Sequence, residues 1–339
     1  GHIFWDTELW MFPTLLVLQP EMAKSCLDYR SDRLAKAKQK ASIYGYQGAM
    51  FPWESDDTGE EATPTWALTG IFEQHITADV SIAFWNYFAM TQNQSWLRNE
   101  WEVLKQTANF WVSRAVENAD GSYSIHNVVG ADEYAQHVDD NAFTNASAIE
   151  SLKNTIKAAK ILNEKVNEEW IKVSEKLVIH KENGITQNYK GYKGQMIKQA
   201  DVNLLAYPLH IITDKNQIKK DLEYYADKID KKDGPAMASG VLSVLYARLG
   251  DRDKAYEYFV KSYLPNSRPP FGVFSESANS NNPYFATGAG AMLQAVIYGF
   301  GGVEQTDKGL QFNKGILPKK WKSLKIIGIG TDEKTITVN

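Results

Sequence analysis

The chain has 339 residues, of which 43% are hydrophobic and 23% charged, and its formal net charge is −4. This composition is typical of a globular domain, and the lack of a basic excess argues against a nucleic-acid partner. Its single cysteine, Cys26, rules out an internal disulfide. No stretch reaches the roughly 18 apolar residues that cross a bilayer, so we expect no membrane partner.

Apolar residues recur at helical spacing along most of the chain. In chain order they predict helices near 29–44, 73–90, 97–115, 142–159, 166–179, 198–212, 216–229, 235–249 and 252–264. Strand alternation comes only late, at 326–329 and 335–338. The sequence therefore predicts an all-α domain over residues 1–303, followed by a small β segment over 304–339.

Two all-α architectures suit so many helices in series. One is an open solenoid of helix pairs, and the other is a closed toroid of helical hairpins. We find no repeat of fixed period, which disfavours the solenoid. Long, aromatic-rich loops favour the toroid, because loops of that kind usually carry function.

The first two loop segments of interest combine carboxylates with aromatic residues. Asp6 follows Trp5 in an aromatic run, which suits either a sugar site or the acidic first turn of a helix. Residues 46–61 form a loop with five carboxylates, most of them typical of a solvated surface. Trp53 and Glu54 are its exceptions, because an exposed tryptophan in a loop is unfavourable without a partner.

Three later segments carry further candidates. Glu133 precedes a clear helix, and His137 lies four residues on, but a third metal ligand is missing, so we favour a catalytic acid. Lys198 and Gln199 suit either a solvated surface or sugar hydroxyls, and their composition alone favours the surface. Glu276 is the one carboxylate of a long polar loop. Two loop carboxylates in an aromatic toroid indicate glycoside cleavage, in which an acid and a base flank the bond.

These segments resemble those of glycoside hydrolase family 65. Six motifs carry the resemblance, in chain order: GHIFWDTELWMFP, GAMFPWESDDTGEE, EQHITADV, VVGADEYAQHVDDNAFTN, KQADVNLLAYPL and ESANSNNPYFATGAG. Together they span most of residues 1–302. The resemblance implies an (α/α)6 barrel that acts on α-glucosides without a metal or other cofactor.

The resemblance also implies roles for individual residues. Glu133 corresponds to the general acid. Trp5 and Asp6 correspond to the pair that grips the non-reducing glucose, and Trp53 and Glu54 to residues that line the pocket. Lys198 and Gln199 correspond to further hydrogen-bonding partners of that glucose, which replaces their interpretation as surface residues.

Glu276 decides between the two chemistries of the family. Phosphorylases carry small hydroxyl or basic residues there, whereas a carboxylate repels phosphate and deprotonates water. We therefore expect an inverting hydrolase that releases β-glucose from a kojibiose-like or trehalose-like glucoside, with its two carboxyls ~6.5–9.5 Å apart. The alternatives are a disaccharide phosphorylase of the same family and a non-catalytic, carbohydrate-binding toroid.

The family pattern includes an N-terminal β-sandwich that these 339 residues lack. We expect the chain to be part of a longer polypeptide, since it opens without an initiator methionine, and any targeting segment would then lie upstream. We expect parts of the pocket rim to be missing with that domain, and the expected protein partner is either the missing N-terminal domain or a second copy of the chain. A periplasmic or extracellular location is slightly favoured.

Overall fold

The computed structural model describes residues 2–282 and 284–339, and these are predominantly helical. In chain order the α-helices are α1 Phe12–Leu18, α2 Pro20–Asp32, α3 Leu34–Ile43, α4 Thr69–Phe72, α5 Ile76–Thr91, α6 Gln94–Asn99, α7 Trp101–Arg114, α8 Ala142–Leu162, α9 Glu168–Lys176, α10 Lys215–Ala226, α11 Met237–Arg248, α12 Arg252–Lys261 and α13 Ala286–Gln294. Two π-helical segments, Asp6–Met11 and Ala295–Phe300, extend α1 and α13, and a 3-10 turn spans Val202–Leu205. Within the described residues, no helix has the length and apolar character needed to cross a bilayer.

The strands form antiparallel hairpins. In chain order they are β1 Val116–Glu117, β2 Tyr123–Ser124, β3 Lys181–Glu182, β4 Ile185–Thr186, β5 Ser267–Arg268, β6 Val273–Phe274, β7 Val303–Thr306, β8 Gly309–Phe312, β9 Leu324–Ile329 and β10 Lys334–Val338. Each pairs with its neighbour in sequence. In the last hairpin, Leu324 lies opposite Val338, which confirms the two late strands predicted from the sequence. The hairpins β1–β2, β3–β4 and β5–β6 correct the expectation that residues 1–303 are all-α, since two-residue strands are too short to show alternation.

The helix predicted at 198–212 is wrong, because only the 3-10 turn Val202–Leu205 forms there. Pro208 has no backbone N–H to donate, and its ring disfavours helical geometry at Tyr207. The buried side chain of Asp201 is also engaged by donors from a different loop. The segment is thus shaped by the site that it borders rather than by helical periodicity.

Six inner segments pack in a closed circuit within the described part of the chain. They are residues 6–18, α5, α8, the turn Val202–Leu205, α11 and residues 286–300. Each contacts the next, and the last contacts the first. Helices α2, α7, α9, α10 and α12 pack outside them. The loops that lead from an outer helix into the next inner segment therefore gather at one end of the circuit.

Pro13 leaves a backbone carbonyl of the first inner segment, residues 6–18, free to bond to the last, residues 286–300. Because proline has no N–H, it cannot close the helical bond to the Leu9 carbonyl. Gln294 replaces that donor: its Nε2 donates to the carbonyl oxygens of Leu9 at 3.0 Å and Trp10 at 2.7 Å. Its Oε1 accepts the Tyr207 hydroxyl at 2.6 Å. The circuit thus closes through buried, satisfied hydrogen bonds.

Candidate active site

A cavity of about 590 Å³ opens at the end of the circuit where the inner segments begin. Seven of the eight residues predicted for the site line it: Trp5, Asp6, Trp53, Glu133, Lys198, Gln199 and Glu276. The eighth, Glu54, stands behind the rim, where its Oε1 lies 2.6 Å from Nδ1 of His2, a lining residue. The fold thus gathers candidates that are up to 271 residues apart in the sequence.

An aromatic wall closes the inner side of the cavity. Trp5 is 1% exposed and Trp53 is 6% exposed, which corrects the expectation that Trp53 is an exposed loop residue. Both indoles meet the ring of His75 edge-on, with centroids 4.7 Å and 5.5 Å away. Trp53 therefore has its partner inside the molecule, in a wall whose rings are fixed by one another.

A buried charged triad lies behind this wall. Nδ1 of His75 is 2.7 Å from Oδ2 of Asp79, and its Nε2 is 3.0 Å from Oε1 of Glu73. Burial alone would lower the pKa of His75, but the two carboxylates raise it to about 10, so the ring is an imidazolium at neutral pH. The sequence analysis assigned no role to these three residues.

Asp6 accepts a hydrogen bond inside the cavity from the Thr287 hydroxyl, at 2.5 Å from its Oδ2. Burial raises the pKa of Asp6 to about 6, and the charges of Glu276 and Glu133 add to the rise, while the bond from Thr287 opposes it. Asp6 is therefore largely ionised at neutral pH and protonated in mild acid.

Glu133 lies beside Lys198 and Gln199. Lys198 Nζ donates to its Oε1 at 2.9 Å, and Gln199 Nε2 approaches the same oxygen at 3.5 Å. Burial alone would lower the pKa of Lys198, but Glu133 and Glu276 raise it, so the amine is charged. The side-chain carbonyl of Gln199 is buried without a hydrogen-bond partner among the described residues. Neither residue is a solvated surface residue, and both have donors or acceptors to offer a ligand.

Two buried carboxyl side chains, those of Asp132 and Asp201, connect the loop of Glu133 to that of Lys198. Asp132 Oδ1 accepts the backbone N–H of Lys198 at 2.7 Å, and Asp201 Oδ2 accepts the backbone N–H of Asp132 at 3.2 Å. Burial raises the pKa of Asp201 to about 6. Burial, together with the negative charge of Asp201, raises the pKa of Asp132 to about 7. Sequence reasoning missed both residues, although each is within two or three positions of a predicted one.

The loop of Glu276 is held through its backbone. Asn266 Nδ2 donates to the carbonyl oxygens of Ser275 and Glu276, both at 3.0 Å, and the Ala236 N–H donates to Glu276 at 3.0 Å. Arg268 donates to the carbonyl of Ala278 at 2.7 Å. These bonds leave the Glu276 carboxylate directed to the cavity that it lines.

Glu133 and His137, whose spacing of four residues raised the question of a metal pair, both lie in the loop before α8. His137 lies in a turn with φ +55°, and its Nδ1 is 2.8 Å from Oδ1 of Asn127. Among the described residues, no group of three or more histidine, cysteine or acidic side chains could hold a metal ion.

The family model described as the central catalytic domain of glycosyl hydrolase family 65 matches residues 1–194 and 186–266. The chain belongs to glycoside hydrolase family 65. This membership confirms the resemblance seen in the six motifs. The family 65 model covers every predicted site residue except Glu276.

Two similar relatives are kojibiose hydrolases. The protein from Flavobacterium johnsoniae is 52% identical over 341 residues, and that from Mucilaginibacter mallensis is 50% identical over 340 residues. Each alignment covers 100% of this chain and 50% of the relative. A kojibiose phosphorylase from Thermoanaerobacter brockii is 33% identical, over 96% of this chain and 48% of the relative. The family 65 chain thus spans about half the length of the curated relatives it matches.

Solved structures show the same fold. One from the human microbiome, described as a candidate kojibiose phosphorylase, superposes with a TM-score of 0.82 at 21% identity. The match covers 99% of this chain and 55% of that one. At this identity the likeness supports the fold of the family 65 chain and not its chemistry.

Proposed function

We propose that this chain carries the active site of an inverting α-glucoside hydrolase that cleaves an α-linked disaccharide such as kojibiose. The observation that carries the proposal is the single cavity lined by both Glu133 and Glu276, which are 143 residues apart in the sequence. The kojibiose hydrolases at 52% and 50% identity support the same reaction and sugar.

The proposal includes an architecture. Residues 1–303 form an (α/α)6 barrel, and residues 304–339 begin a C-terminal β segment. The closed circuit of six inner segments supports the barrel, and the change from helices to hairpins at Val303 supports the boundary.

Glucose binds at the inner end of the cavity in this account. The indole of Trp5 forms part of the apolar wall at that end, while Asp6 accepts hydrogen bonds from the hydroxyl groups of the sugar. Lys198 and Gln199 supply donors and an acceptor on another side. Glu54, behind the rim, acts through His2 or on the outer sugar.

Catalysis then needs one proton donor and one proton acceptor. Glu133, in its protonated form, donates to the glycosidic oxygen as the bond from that oxygen to the anomeric carbon breaks. Glu276, as a carboxylate, accepts a proton from the water that attacks the opposite face of the anomeric carbon, so β-glucose is released. Lys198 binds Glu133 in the free enzyme, and a sugar hydroxyl takes over this donor when the substrate enters.

The charges around the cavity favour water over phosphate as the nucleophile. Asp6, Glu133 and Glu276 contribute three carboxyl groups, whereas Lys198 is the one lysine or arginine among the described lining residues. That ammonium is already paired with Glu133. A phosphate dianion would enter a cavity in which the carboxyl groups outnumber the one lysine of the described lining, so its binding is disfavoured.

The test is an incubation of the purified chain with kojibiose, nigerose and trehalose, each with and without inorganic phosphate. We expect glucose from kojibiose at a rate that phosphate does not raise. Formation of glucose 1-phosphate would establish phosphorolysis instead. Glu133→Gln and Glu276→Gln serve as matched controls, and residual turnover equal to that of the parent chain in both would leave only a sugar-binding role.

A further inference from the structure

Asp6 shares the cavity with two carboxylates but has no cation of its own. Glu276 and Glu133 both disfavour its charge, and Lys198 pairs with Glu133. Among the described residues, the one side-chain hydrogen bond to the Asp6 carboxyl comes from Thr287. The Asp6 carboxyl, which is proposed to accept hydrogen bonds from sugar hydroxyl groups, is thus stabilised by a neutral hydroxyl, that of Thr287.

Thr287 is placed to supply that bond with little freedom. It is the second residue of α13, it is 4% exposed, and it lines the cavity. One turn further on, Gly290 packs against the backbone of Trp10 so tightly that a Cβ there would lie 2.5 Å from the Trp10 carbonyl oxygen. Since α13 is fixed against the π-helical segment in this way, the Thr287 hydroxyl is fixed relative to Asp6.

We infer that Thr287 is a positioning residue, whose hydroxyl holds the Asp6 carboxylate ionised and aimed so that it can accept the hydroxyl groups of the bound glucose. The bond occupies Oδ2 and leaves Oδ1 to the sugar. It also favours the carboxylate over the acid, because a hydroxyl donor stabilises the charged acceptor. A protonated Asp6 would have one acceptor fewer and a proton directed at the sugar. This inference rests on the proposed function.

These contacts determine how substrate binding changes with pH. With Asp6 titrating near pH 6, substrate binding weakens as the pH falls through that range. Loss of the bond from Thr287 removes one of the contacts that oppose burial and the charges of Glu276 and Glu133, so the pKa of Asp6 rises further and the weakening begins at higher pH. Among the described residues, the Thr287 hydroxyl donates to Asp6 and to neither Glu133 nor Glu276, so its removal acts directly on Asp6.

The experiment compares Thr287→Val, which keeps the shape and removes the hydroxyl, with Thr287→Ser, which keeps the hydroxyl. The measurement is kcat/KM for kojibiose hydrolysis between pH 4.5 and 8. For Thr287→Val we expect the acid limb to move to higher pH, with a loss of about tenfold at pH 5.5 that shrinks toward pH 8. Thr287→Ser should stay within about twofold of the parent chain, since it retains the donor.

A second measurement is the affinity for glucose, followed by tryptophan fluorescence over the same pH range, with Thr287→Ala as a further variant without a hydroxyl. The same shift is expected in both hydroxyl-free variants. An unmoved acid limb, or equal losses in Thr287→Val and Thr287→Ser, would overturn the inference and indicate packing alone. If the parent chain hydrolyses no α-glucobiose, the proposed function is wrong. The pH profiles of glucose affinity still test the role of Thr287 in that case.

Discussion

A buried ion pair holds the segment that precedes α1 to helix α2. Arg30 Nε donates to Oε1 of Glu8 at 2.6 Å, and its Nη2 donates to Oε2 at 3.1 Å. Both side chains are 1% exposed. The same Nη2 also donates to the Phe4 carbonyl at 3.3 Å, directly before Trp5 and Asp6. The pair thus links the stability of the fold to the position of Trp5 and Asp6 in the cavity.

Glu8→Gln removes one charge of this pair and leaves the guanidinium without a counter-charge in a site that excludes water. The loss of one partner of a buried ion pair costs about 3–5 kcal/mol, and the free energy of unfolding should fall by that amount. Arg30 Nη1 already lacks a hydrogen-bond partner among the described residues, so the substitution adds to an incomplete set of bonds around the guanidinium.

The assay is urea-induced unfolding at pH 7, followed by tryptophan fluorescence, on Glu8→Gln, Arg30→Met and the double variant. Because the double variant buries no isolated charge, it should lose about 1–3 kcal/mol less than the sum of the two single losses. A cost below about 1 kcal/mol for Glu8→Gln, or strict additivity in the double variant, would refute the reasoning.

Three further predictions concern the two catalytic candidates, the packing of Gly290 and the charge of His75. Glu133→Gln and Glu276→Gln should each lower kcat by about 10²–10⁴-fold with little effect on thermal unfolding, and a smaller loss would remove that residue from the chemistry. Gly290→Ala should destabilise the chain in a thermal melt, because its Cβ would lie 2.5 Å from the Trp10 carbonyl oxygen, and an unchanged melting temperature would contradict this packing. The pKa of His75 is raised to about 10, so the protonated ring stabilises the fold. This stabilisation is fully present below pH ~6.5 and is lost as the pH rises toward 10. The free energy of unfolding should therefore fall between pH 7 and pH 9.5, and less so in His75→Gln, and a flat profile in the parent chain would argue against the buried imidazolium.

Much of the helical framework could be predicted from the sequence, because its apolar stripes are long. The stripe at 142–159 corresponds to α8, and that at 97–115 to α6 and α7. The stretch at 198–212 is equally apolar, but Pro208 and the buried Asp201 prevent a helix there. The local pattern of apolar residues contains no information about hydrogen bonds from a distant loop, such as those that Asp201 accepts. The wrong helix prediction therefore falls on a segment that borders the candidate site.

The site itself divides in a similar way. Family motifs led to the residues that face the cavity, and seven of the eight line it. The residues behind them were missed, among them Asp132, Asp201, His75 and Thr287. Their signal is a buried polar side chain between two elements, and it appears only when the fold brings those elements together. The EQHITADV motif contained His75, but nothing in its pattern indicated a charged ring behind two tryptophans.

The most direct test of the central claim is the anomeric configuration of the first glucose released from kojibiose by the purified chain. Proton NMR spectra recorded during the first minutes of hydrolysis separate the two anomers before mutarotation mixes them. The account predicts that β-glucose appears first, because Glu276 directs water to the face opposite the leaving group. Initial release of α-glucose would contradict it, since retention requires two successive displacements through a covalent intermediate, whereas direct attack by water inverts the anomeric carbon.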